Sequence, residues 1–70
     1  MHATFDTDRF EHFVGEASHL LRCAGDFARR GRLLRAAGAA GLGAAERQRA
    51  QVYRHKAGKA LNAARRFLPH

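Results

Sequence analysis

Seventy residues with a formal charge of +7 make one small domain at most, too short to enclose a deep catalytic pocket and basic enough to attract anions. Cys23 is the sole cysteine, which excludes an internal disulfide and suits a reducing cytoplasm. No stretch approaches the ~20 apolar residues of a bilayer span, and the start MHATFDTDRF is acidic where a secretory leader is basic and apolar.

The first predicted helix runs over about 7–37. Asp6 is placed to cap it, with Phe5 and Phe10 spaced as a hydrophobic staple and Asp8 in the first turn, where the helix dipole favours an anion. Apolar positions then follow at alternating steps of four and three: Phe10, Val14, Ala17, Leu21, Ala24, Ala28. A second row, Phe13, Leu20 and Phe27, widens the stripe. Gly31 falls where the stripe would continue, but the Leu and Ala residues beyond it are strong helix formers, so the helix is expected to pass through. No strand-like alternation occurs anywhere.

Gly38, Gly41 and Gly43 predict a glycine-rich connection over 38–43. A second helix is expected over about 44–67, with Gly43 as its cap and Glu46 in its first turn. Its seam, Ala50, Tyr53, Ala57, Ala60, Ala64 and Phe67, is mostly alanine, with Leu61 and Leu68 beside it. Pro69 stops it. The predicted fold is therefore all-α: an antiparallel two-helix hairpin in which large side chains of the first helix lie over small ones of the second. One alanine-rich neighbour cannot cover so wide a stripe, so the hairpin is expected to dimerise into a four-helix bundle. The expected dimer core is Phe10, Phe13, Val14, Ala17, Leu20, Leu21, Ala24 and Phe27 with Tyr53, Ala57, Ala60, Leu61, Ala64 and Phe67.

Charge is segregated along the chain. Residues 1–26 hold two basic and five acidic groups, net −3; residues 27–70 hold eleven basic groups and one acid, net +10. The hairpin sets the acidic start of the first helix beside Arg65 and Arg66 and gathers Arg29, Arg30, Arg32, Arg35, Arg47 and Arg49 at the bend.

The glycine segment is not a phosphate loop, because it lacks the preceding strand and the Lys-Ser/Thr pair. A helix-turn-helix with Gly41 in the turn would put Gln48, Arg49, Gln51, Arg54 and His55 on a recognition helix, but Arg47 would then occupy a position that should bury an aliphatic side chain. ERQRA at 46–50, RHKAGKAL at 54–61 and NAARR at 62–66 resemble the basic terminal helix of a very small bacterial ribosomal protein over less than half the chain, and no function is carried from that likeness. His12, Glu16, His19 and Cys23 share one helical face, but positions 12 and 23 lie roughly 16 Å apart along a helix, so one ion could take only adjacent members. No metal or cofactor is expected. Ser18 beside His19 lacks the rest of a nucleophilic set, so an enzyme is not expected either.

What remains is binding. Arg29, Arg30, Arg32, Arg35, Arg47, Arg49 and Arg54, with Leu33, Leu34 and Leu42 as apolar anchors, are the expected contact residues for another protein with an acidic surface. A small cytoplasmic regulator or inhibitor of bacterial or phage type, acting for example on a transcription regulator, is the leading expectation. Nucleic-acid binding through the same arginines and the outer face of the second helix is the alternative.

Overall fold

The structure, a computed structural model, describes residues 6–68 and consists there of two helices packed against each other, α1 (Thr7–Ala36) and α2 (Ala40–Arg65). Phe5 and Pro69 lie outside the described residues. Asp6 caps α1: its Oδ1 accepts a hydrogen bond from the Arg9 backbone N–H at 3.1 Å. Asp8 sits in the first turn as expected. α1 runs unbroken through Gly31 and ends one residue before the expected Ala37.

The bend is shorter than the sequence suggested. The Gly38 N–H donates to the Arg35 carbonyl at 3.1 Å, and the Ala39 N–H donates to the Leu34 carbonyl at 2.8 Å. With Gly38 at φ +86°, this is a Schellman termination, and the left-handed residue is a glycine because a Cβ there is strained. One such glycine suffices to turn the chain. α2 then starts at Ala40, so Gly41 and Gly43 lie inside the helix and Ala44 is not its first residue. The helix also stops at Arg65, two residues short of the expected end. Gly41 is helical, so it does not stand in the turn of a helix-turn-helix; the chain turns at Gly38 instead.

The reason for Gly43 is packing. A Cβ built on it would lie 2.8 Å from the Gly31 carbonyl oxygen, and one built on Gly31 would lie 3.0 Å from the Gly43 carbonyl oxygen. The two backbones meet here. From this contact a small residue recurs every seventh position on both helices: Gly31, Ala24 and Ala17 on α1, and Gly43, Ala50, Ala57 and Ala64 on α2, all buried. This is one flank of the seam. The other holds the large side chains. Phe13 stacks on Phe67 with centroids 5.8 Å apart, and Phe27 stacks on Tyr53 at 5.2 Å. The same register sets Leu20 across from Ala60 and Leu34 across from Glu46.

Among the described residues the buried core side chains are all alanines, and no large side chain is fully buried. An alanine methyl contributes about 0.8 kcal/mol on burial against roughly 1.5–3 for a whole Leu or Phe side chain. The hairpin thus draws little hydrophobic stability from its closest seam and leaves larger groups partly wet. No helix among the described residues is long and apolar enough to cross a membrane.

Candidate functional site

The expected dimer-core residues divide between the two flanks. Phe13, Leu20, Phe27, Tyr53 and Phe67 are half-buried and lie within the hairpin's own seam, as do Phe10 and the alanines Ala17, Ala24, Ala57, Ala60 and Ala64. Leu21 and Leu61 do not belong to that seam: they are exposed, and Val14 is half-buried beside them on the small-residue flank. α1 therefore meets α2 along its Phe13–Leu20–Phe27 edge, and the Val14–Leu21 edge is left over.

At the bend, the expected contact residues also divide. Glu46 occupies a seam position with its side chain 16% exposed. Its carboxylate takes Arg49 Nη1 at 3.1 Å and Arg30 Nε at 3.8 Å, the latter an ion pair between the two helices. The Arg30 guanidinium also lies 4.7 Å from the Phe27 ring centroid, while Lys56 caps the stacked Tyr53 from 5.4 Å. Arg29 pairs with Asp26 at 3.8 Å in the exposed first-helix surface. These three arginines are thus held by the local acids.

Arg32, Arg47 and Arg54 are different. All three are exposed, and together with Gln51 they line a concavity of about 270 Å³ floored by Ala28 and Ala50. No ion pair engages any of them among the described residues. Arg35 lies next to them, its backbone close to Gly43. Ala50 of the floor belongs to the seven-residue repeat and Ala28 lies beside it, and Arg47 and Arg54 stand seven residues apart on its edge. Three guanidiniums around an alanine floor form an anion-accepting surface, with planar donors suited to carboxylates or phosphates. Leu33 and Leu42 are 63% and 64% exposed near the bend, whereas Leu34 is half-buried.

The second grouping flagged in the sequence stays dispersed. His12 approaches Glu16 at 3.6 Å and Cys23 approaches His19 at 3.7 Å, as two separate exposed pairs. No three His, Cys, Asp or Glu side chains converge on a metal-sized site among the described residues. The acidic start of α1 makes no ion pair with Arg65 or Arg66 there; Arg9 instead lies 5.8 Å from the Phe67 ring centroid. Beside the Phe27–Tyr53 stack runs an open groove of about 710 Å³, lined also by Ala45, Gln48, Arg49, Val52 and Lys56. It was not legible in the sequence, because its walls come from both helices.

The fold and this surface define a basic antiparallel helical hairpin with an arginine-lined concavity on its small-residue flank. Compared with protein-family models, with curated proteins and with solved structures, the chain matches none.

Proposed function

We propose that the protein is a small, basic, dimeric protein-binding module, a cytoplasmic regulator or inhibitor of bacterial or phage type that docks on an acidic surface of another protein such as a transcription regulator. The role is binding without catalysis. One observation carries it: Arg32, Arg47 and Arg54 share an alanine-floored concavity with no carboxylate, while the nearby acids Asp26 and Glu46 are already engaged by Arg29, Arg30 and Arg49. Clustered like charge is unfavourable for the isolated chain, and an acidic partner relieves it. Exposed Leu33 and Leu42 flank the bend and supply apolar contact beside arginine, a composition that interfaces favour. Homodimerisation into a four-helix bundle is supported by the exposed Leu21 and Leu61, which the hairpin leaves uncovered.

Nucleic-acid binding is the second reading, favoured by the same free guanidiniums. The test compares the parent chain with its Arg32→Gln/Arg47→Gln/Arg54→Gln variant. A stoichiometric protein partner retained from nuclease-treated lysate by the parent and lost by the variant supports the proposal. Submicromolar binding to random duplex DNA or RNA that survives physiological salt, without a protein partner, replaces it with the second reading.

A further inference from the structure

We infer that the small-residue flank at the open end of the hairpin seats a second copy of this chain running in the opposite direction, so that the two bend arginine clusters lie at the far ends of the dimer. This rests on the dimeric reading above and assigns its surface.

The leucines come first. Leu21, Leu61 and Leu68 are 49%, 39% and 41% exposed. By helical register Leu21, at the middle of α1, stands beside the buried Ala17 and Ala24, and Leu61 beside Ala57 and Ala64 on the same flank; Leu68 follows just beyond the end of α2. A contiguous apolar patch of this kind marks an interface in a soluble protein.

The glycines are independent of the leucines. Gly58 precedes Leu61 by three residues in the open half, and Gly25 follows Leu21 by one helical turn, just past the boundary into residues 22–55. A Cβ at either would meet nothing within 4 Å. The hairpin itself makes no use of their missing side chains, although glycine disfavours a helix interior. Bare backbone next to a leucine is what a neighbouring helix needs in order to seat its own leucine close by.

Charge selects the occupant and its direction. Residues 6–21 and 56–68, the open half, hold five basic and four acidic groups, net +1; residues 22–55 hold eight basic and two acidic, net +6. An acidic foreign partner is drawn to the +6 half, where the arginines are. The leucine patch lies on the near-neutral half, where another molecule of the same basic chain meets least repulsion. Opposite orientation overlaps the two near-neutral halves and keeps the +6 halves apart; a same-direction pair would stack them side by side. The resulting dimer is bivalent, with one arginine-lined concavity at each end, and can bridge two acidic sites.

The test places spin labels on the full chain at Ala36→Cys, at the bend, and separately at Asn62→Cys, near the open end, both with Cys23→Ser. The inference predicts a short Asn62–Asn62 distance and an Ala36–Ala36 distance several-fold longer. Leu21→Gln and Leu61→Gln, checked for retained helicity by circular dichroism, weaken the dimer at least tenfold, whereas Leu33→Gln does not. Equal label distances, a short bend-to-bend distance, or a dimer indifferent to both open-end leucine variants overturns this surface while leaving dimerisation intact. A monomer overturns both. If a leucine variant unfolds, the label distances on the folded chain still decide.

Discussion

Gly43 and Gly15 are both glycines inside helices, yet they predict opposite responses to the same substitution. At Gly43 an added methyl carbon would sit 2.8 Å from a backbone oxygen of α1, and backbone cannot swing aside as a side chain can. The helices must part, and Gly43→Ala is expected to cost about 2 kcal/mol, in the range of an overpacked core. At Gly15 the added carbon meets nothing within 4 Å, so Gly15→Ala is expected to gain roughly 0.5–1 kcal/mol from helix propensity alone. Urea unfolding of the two variants checks the pair; equal effects of one sign would deny the close approach. Glu46 supports a second prediction at this scale. It holds one arginine from each helix, and its side chain is largely covered. Glu46→Gln should lower stability by about 1 kcal/mol at low ionic strength and by less in molar salt, as screening removes part of what the carboxylate contributed. Thermal melts at both salt concentrations measure it.

At the scale of the helices, the row Phe13, Leu20 and Phe27 and the Val14–Leu21 positions of the first row lie on opposite sides of Phe10, Ala17 and Ala24 on α1. Periodicity alone shows the width of that stripe. It does not tell which edge faces α2, because either edge, taken with Phe10, Ala17 and Ala24, fits a helical spacing. The pairing is decided by the partner helix: Tyr53 and Phe67 offer rings on one side, and Phe27 and Phe13 stack on them. The helical hairpin, the Asp6 cap and the α2 seam from Ala50 onward were legible because each is a local pattern. The length of the bend was not, since three glycines in six residues look alike until packing separates them. Gly38 turns the chain, Gly43 admits the other backbone, and nothing in the hairpin crowds Gly41. Likewise the arginines were visible as a cluster, but their division into paired Arg29, Arg30 and Arg49 and free Arg32, Arg47 and Arg54 needed the register between helices. Tyr53→Ala tests the aromatic edge. It removes the Phe27 stack and the ring beneath Lys56, and is expected to cost about 2 kcal/mol, read from the shift in the urea midpoint.

For the whole molecule, the balance lies between a seam of alanines and glycines and the larger apolar groups outside it. Close backbone approach gives a well-defined pair of helices, but methyl groups bury little hydrocarbon. Chains of this size commonly complete their core through another subunit. The uncovered Leu21, Leu61 and Leu68 lie on the near-neutral half of the hairpin, and the free arginines lie with the exposed Leu33 and Leu42 on the basic half. In the proposed reading, self-association and partner binding occupy separate regions of one short hairpin. Sedimentation equilibrium at physiological salt over micromolar to submillimolar concentrations tests this division most directly. The expected result is a reversible approach to twice the 7.8 kDa chain mass, with helicity rising alongside it. A fully helical species that stays at the single-chain mass across the whole range would contradict it.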